Sequence, residues 1–349
     1  MAALAGDVDA LPGRGWCGGA VVAAGRGPYL ALEHAAGWAL RWTAAGTEAE
    51  HPEPVRTDTP FDLASLTKLC TAIVAVRRAE RGAVALDREV AAYVPEFAAA
   101  GKERVTVRQL LTHTSGLRAE LPFHDGHGLE LLWREPLTES GRCYSDLNFL
   151  ALQAVLERAT GQRLDALVRA DITGPLGMTA TGFGPVPGAA ATEDQRRPRA
   201  KADRGMLRGT VHDENAHALG GVTGHAGLFA TARDLAVLCR ALLAGGEVDG
   251  VRVLSPASVA LLLDAPGLGF AVDQPWFMGE LAGRGAAGHT GFTGTSLVLD
   301  RATDTFLVLL ATTVHPVRPR SADSRPRAAA ATRLHRAVLR AGRAPDASA

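Results

Sequence analysis

Cysteine is scarce in this chain. Cys17, Cys70, Cys143 and Cys239 are the only four in 349 residues, widely scattered and without a CxxC pair. That spacing excludes a disulfide framework and a thiolate zinc site, and it reads as free buried thiols in a reducing compartment. Net charge is also absent: 37 Lys and Arg balance 37 Asp and Glu. No global field selects a polyanion, so neither nucleic acid nor an anionic membrane is expected as the main partner. No apolar run reaches the length of a membrane-spanning helix. The first residues, MAALAGDVDALPGRG, lack a basic start, and Asp7 and Asp9 interrupt any apolar stretch. A secretory signal is therefore not expected, and the expected location is cytoplasmic. Tyrosine is rare too, with three in the chain, and no internal repeat is visible.

What is present fits a globular chain: 47% hydrophobic and 21% charged residues. At 349 residues one core stops growing, so one large unit or two lobes sharing an interface is expected. Residues 1–15 read as a loose terminus. GGAVVAAGRG and YLALEHAAGWAL read as two strands joined by a Gly-containing turn, followed by a Pro-rich loop from His51 to Pro60. In FDLASLTKLCTAIVAVRRAERG, Leu66, Leu69, Ile73 and Val76 recur at helical spacing and Gly82 ends the run. VTVRQLLTHTSGL predicts a short helix closed by Gly116. SDLNFLALQAVLERATG predicts a longer one, with Ser145 or Asp146 near its N-cap and Gly161 as its stop. Residues 183–227 read as a long loop. TARDLAVLCRALLAGG predicts a helix capped by Thr231, and GTSLVLD and TFLVLLATT predict a hairpin around RATD. GRGAAGHTG reads as a strand before it, and residues 325–343 as a final helix whose arginines form a solvated face.

Strands thus lie at both ends of the sequence and helices in the middle. The expected fold is α/β in the α+β sandwich sense: one antiparallel sheet built from N- and C-terminal strands, flanked by helices, with a mostly helical lobe inserted. The expected unit spans 12–345, with 12–62 and 265–345 forming the sheet-containing lobe and 63–264 the helical one. A site is expected in the cleft between them.

Three short patterns carry chemistry. Ser65 and Lys68 lie three apart on a predicted helix and share a face. A serine hydroxyl needs a base, and a lysine against buried surface can serve, although a capping serine and an exposed lysine would give the same letters. Tyr144-Ser145-Asp146 precedes the longer helix, where the Tyr144 hydroxyl could enter a cleft or find an ordinary backbone partner. His289-Thr290-Gly291 falls on a late strand. Gly291 permits close backbone approach, and the amides of Phe292 and Ser65 could together hold an oxyanion.

Taken together and in this order, the patterns resemble the serine β-lactamase and penicillin-binding-protein superfamily, in its class C-like, esterase-type bacterial serine hydrolase branch. LLTHTSGL at 110–117 and VHDENAHALGGVTGHAGLFATARDLA at 211–236 are similar to further stretches of that branch, and the resemblance covers roughly residues 15–340. It implies Ser65 as the acylated nucleophile and Lys68 and Tyr144 as the proton-shuttling pair. Ser65 and Phe292 would form the oxyanion hole. Asp146, His289, Thr290 and Gly291 would contact substrate. It implies a small-molecule acyl substrate and no cofactor or metal. Two departures stand out. Asp146 occupies a position usually held by Asn and could pair with Lys68, which would leave Tyr144 as the base. His289 occupies a position often held by Lys and is a weaker, pH-dependent cation. Ester or peptide hydrolysis therefore ranks above β-lactam hydrolysis. Acyl transfer, and a binding protein that acylates without turnover, remain the alternatives. His124-Asp125-Gly126-His127 reads as a loop over the cleft rather than a metal site, and His113 as a structural hydrogen-bonding residue. His212, Asp213 and Glu214, with the 224–227 turn, are expected to shape the pocket without taking part in chemistry.

Overall fold

The chain was analysed as a computed structural model describing residues 1–341. Its N-terminal third begins with helix α1 (Ala2–Gly13) and strands β1 (Gly19–Arg26), β2 (Tyr29–Ala44), β3 (Thr47–Pro54) and β4 (Phe61–Asp62). The middle supplies helices α2 (Thr67–Glu80), α3 (Val107–Leu111), α4 (Glu130–Arg134), α5 (Asp146–Thr160) and α6 (Leu164–Val168). There follow β5 (Gly182–Phe183), β6 (Ala191–Gln195), β7 (Gly205–Arg208), α7 (Glu214–Ala218), β8 (Leu228–Ala230) and α8 (Ala232–Leu243). A small hairpin, β9 (Glu247–Val248) and β10 (Val251–Arg252), leads to α9 (Pro256–Leu263). The end returns to strands: β11 (Ala271–Val272), α10 (Pro275–Met278), β12 (Ala287–Thr290), β13 (Ser296–Asp300), β14 (Thr305–Ala311) and α11 (Arg325–Ala341).

The two ends of the sequence meet in one seven-stranded sheet of order β11-β12-β13-β14-β1-β2-β3. Its centre is the antiparallel pairing of β1 with β14, Val22 opposite Leu309. Both strands are apolar without strict alternation because both faces of the sheet are covered. Val21 and Ala23 face a core shared with α2, α5 and α8, whereas Ala20, Val22 and Ala24 face one built with α1, α10 and α11. Helix α2 is buried nearly throughout. Leu69, Ile73 and Val76 are each at most 2% exposed, and each such side chain contributes about 1.5–3 kcal/mol of transfer free energy. That burial fixes where the start of α2 lies.

Several expectations are corrected. Residues 2–13 form a helix, not a loose terminus, because Leu4, Val8 and Leu11 recur at helical spacing and bury against β1 and β2. Asp7 and Asp9 lie on its outer side, paired with Arg333 and His34. The first four residues of the expected loop from His51 to Pro60 belong to the edge strand β3, where Pro52 and Pro54 are tolerated because an edge needs no second partner. The 183–227 stretch carries the β6–β7 hairpin and α7, stitched by polar side chains that leave no hydrophobic period to read. The expected helix closed by Gly116 stops at Leu111. His113 turns the chain at φ +59° before Gly116 does so at +88°. Helix α11 matches the expected run as far as Ala341, and positions 342 and 343 lie outside the described residues.

Candidate active site

Ser65 sits in a single 3-10 turn, Ala64–Leu66, that runs directly into α2. Ala64 has a positive φ of +47°, held by its amide donating to Asp62 Oδ1 at 2.8 Å. This sharp turn between β4 and the helix presents Ser65 to the cleft while the surrounding side chains stay buried. One helical turn on, Lys68 is fully buried. Its Nζ donates to Ser65 Oγ at 3.0 Å and to the His225 carbonyl at 3.3 Å. The exposed-lysine alternative therefore does not hold. Asp146, first residue of α5, places Oδ1 2.7 Å from the same ammonium, close in distance but off the hydrogen-bond line. Burial alone would lower the Lys68 ammonium. Asp146 and Tyr144 outweigh it and hold Lys68 above its ordinary range, so it is charged at neutral pH.

Tyr144 is 42% exposed and leans over this pair, its ring centre 4.8 Å from Lys68 Nζ. Two imidazoles support the ring: His113 at 4.8 Å and His289 at 5.7 Å between centroids. His113 also accepts from the Ser145 amide through Nδ1 at 3.1 Å, as its expected structural role requires, and so fixes the residue after Tyr144.

The opposite wall is the end of β12. His289 Nδ1–H donates to the Thr290 carbonyl at 2.7 Å. Burial, reinforced by the Lys68 charge, pushes its imidazole down to about 4, so at neutral pH it is uncharged. Gly291 is there because nothing larger fits. A Cβ would lie 2.4 Å from the Leu63 carbonyl and 2.1 Å from Thr295 Oγ1. Thr293 and Thr295 hydroxyls donate to the carbonyls of Asp62 (2.8 Å) and Leu63 (3.0 Å), tying this turn to the one carrying Ser65. Among the described residues neither the Ser65 nor the Phe292 amide donates to a protein acceptor. The serine, Tyr144 and the 289–292 turn line one cavity of about 1700 Å³.

Sequence reasoning missed Arg327. Read as part of a solvated basic face, it is 6% exposed and donates from Nη2 to the Gly291 carbonyl at 3.1 Å. Its position in α11 carried no signal separating it from the exposed arginines around it. The His124 cluster does not converge: His124 Nδ1 lies 3.0 Å from Asn215 Oδ1. Among the described residues the one group with metal-ligand spacing is Asp146, Asp213 and His225, its ligand atoms within 4.8 Å of one another. The Lys68 ammonium on Asp146 and the His225 ring on Asp213 already provide the partners these carboxylates need.

The fold agrees with the comparisons. A family model described as Beta-lactamase matches residues 4–332, and the chain belongs to that family. It is a serine hydrolase of the β-lactamase and penicillin-binding-protein type. An Escherichia coli K12 relative named "Putative D-alanyl-D-alanine carboxypeptidase" is 33% identical over 312 residues, covering 76% of this chain and 72% of the relative. Two solved structures share the fold. A class C beta lactamase from Rhodobacter sphaeroides has a TM-score of 0.75 at 22% identity, covering 97% of this chain and 100% of that one. EstCE1, described as a hydrolase with promiscuous acyltransferase activity, has a TM-score of 0.75 at 23% identity, covering 95% and 97%.

Proposed function

We propose that this chain cleaves an ester, amide or D-amino-acid peptide carbonyl through an acyl-enzyme on Ser65. The observation that carries the reading is the placement of Lys68 Nζ between Ser65 Oγ at 3.0 Å and Asp146 at 2.7 Å, under the Tyr144 ring. Because Asp146 keeps Lys68 protonated, Tyr144 is the group that takes the Ser65 proton. It accepts that proton as the phenolate, and the fixed ammonium beside it stabilises the phenolate charge until the arriving proton neutralises it. Ser65 attacks the carbonyl, and the amides of Ser65 and Phe292 receive the oxyanion. The proton then passes to the leaving group. Water, activated by the same tyrosine, releases the acyl group.

Among the possible substrates, one bearing a free carboxylate is favoured, and an ester or peptide is ranked above a β-lactam. His289 is neutral where a lysine often stands, so positive charge comes from the cleft rim instead. Arg142 and Arg320 line the cavity, and neither pairs with a carboxylate among the described residues. The name of the E. coli relative points the same way. Acyl transfer is the second reading. A cavity of about 1700 Å³ exceeds the ~300–1,000 Å³ of ordinary ligand pockets and has room for an acceptor beside the acyl group. The test compares release of nitrophenol from a short-chain nitrophenyl ester, of D-alanine from an acylated D-alanyl-D-alanine, and of ring-opened product from a chromogenic cephalosporin, each with and without an added alcohol. Ser65-dependent ester and peptide turnover exceeding lactam turnover supports the reading. Lactam turnover as the fastest of the three overturns the ranking.

A further inference from the structure

The residues at the start of the 211–236 stretch have no part in the proton chemistry, yet they reach the neighbour of one oxyanion donor and the side chain of the other. Phe292 is 57% exposed, but its ring is not free. It stacks on His212, with centroids 5.6 Å apart and planes 28° apart, and the Arg318 guanidinium carbon lies 5.5 Å from its centre. Glu193, in β6 and 1% exposed, binds both partners. His212 Nε2 lies 2.8 Å from its Oε2, and Arg318 Nε donates to both carboxylate oxygens at 2.8 Å. Arg318 Nη2 also donates to Glu214 at 2.6 Å. The same His212 donates its backbone N–H to Asp62 Oδ2 at 2.6 Å, and the other oxygen of Asp62 holds the Ala64 amide next to Ser65. One buried polar chain thus runs from the residue before the first donor to the side chain of the second.

We propose that Glu193, acting through His212 and Arg318 on the Phe292 ring, is a positioning residue that sets the spacing of the two oxyanion amides. The proposal rests on the Ser65 acyl-enzyme reading. The backbone of the turn is tied at Gly291 and Thr293, so the ring acts on the Phe292 amide between those anchors, and a donor displaced by a fraction of an ångström stabilises the oxyanion less while substrate binding is unaffected. Burial raises the Glu193 carboxyl, but its hydrogen bonds from His212 and Arg318 hold it down to about 2.

The test uses nitrophenyl acetate, whose acyl group is small, with Phe292→Ala, Phe292→Tyr, Glu193→Gln and the Phe292→Ala/Glu193→Gln double variant. Substitution at 292 leaves its backbone N–H in place. Losing an oxyanion donor outright costs about 10²–10³ in kcat, so Phe292→Ala is expected to lower kcat about ten-fold with KM nearly unchanged, and Phe292→Tyr to restore most of it. Glu193→Gln is expected to lower kcat likewise, and the double variant to be no slower than the slower single variant, because both break one unit. Wild-type kcat in Phe292→Ala, or losses that multiply in the double variant, overturn the proposal. If Glu193→Gln melts below the assay temperature, the Phe292 pair decides alone, since that ring is mostly outside the core. Ester turnover that survives Ser65→Ala would instead sink the acyl-enzyme reading, a distinguishable result.

Discussion

The two walls of the cleft solve opposite problems. On the helical side, the buried Lys68 pairs with a partly exposed Asp146 at the foot of α2 and α5, with Tyr144 supported above them. On the strand side, His289 is neutral and Gly291 is bare backbone pressed against Leu63. In the proposed mechanism charge is concentrated where protons move, whereas the opposite wall contributes amides. The contrast gives Asp146 a reason within that mechanism: it makes Lys68 a fixed cation and leaves the role of base to Tyr144. It also implies that the two walls should fail differently when altered.

The largest separation comes from the nucleophile. Ser65→Ala is expected to lower kcat on a nitrophenyl ester by as much as ~10⁶-fold, with an unchanged melting temperature because the side chain lines the cavity and not the core. Lys68→Met is next. It is expected to cost about 10²–10⁴ in kcat and, by leaving Asp146 without its counter-charge, about 3 kcal/mol in denaturant titration, the low end for a broken buried pair because Asp146 is partly exposed. On the other wall, Gly291→Ala should cost about 1–3 kcal/mol by overpacking against Leu63 and about ten-fold in kcat by moving Phe292. If Lys68→Met and Gly291→Ala had the same signature, the division between the walls would be wrong.

The last effect is electrostatic. Burial holds His289 and His315 down to about 4, below the ordinary histidine value. The folded state therefore prefers them neutral, and the unfolded chain binds more protons as pH falls. Their contribution is fully present above about pH 6.5 and is lost between there and about pH 4, at about 1.4 kcal/mol per pH unit for each imidazole. His315 lines the same cavity, its Nδ1–H on the Thr192 carbonyl and its Nε2 accepting from the Arg41 and Trp42 amides. His315→Gln should flatten the pH dependence of the urea midpoint by one such increment between pH 6.5 and 4. An unchanged slope would mean that His315 takes no part in acid sensitivity.

The sequence spoke most clearly where a period or a turn residue carried the information. The β13–β14 hairpin, the α2 run with its Ser65–Lys68 spacing, Thr231 as the cap of α8 and Gly161 as the stop of α5 all follow from local rules. Asp146 pairing with Lys68 was legible from its place in the Tyr144 triplet. What could not be read was long-range and polar. Glu193 meets Arg318 across 125 residues, and Arg327 reaches Gly291 from a helix whose other arginines face water. A buried charge of this kind has no hydrophobic period and becomes visible only when its partner is in place. Helix α1 was missed for a different reason: Asp7 and Asp9 masked a sparse Leu4, Val8, Leu11 stripe that is sufficient once β1 and β2 lie beneath it.

The most direct test of the account is to trap the acyl-enzyme. Acid quenching during turnover of a slowly released acyl ester, followed by intact-mass measurement and peptide mapping, should show one added acyl group on the peptide containing Ser65 and none in Ser65→Ala. Turnover with the acyl group mapped to another residue, or with no adduct under conditions where deacylation is demonstrably slow, would contradict it.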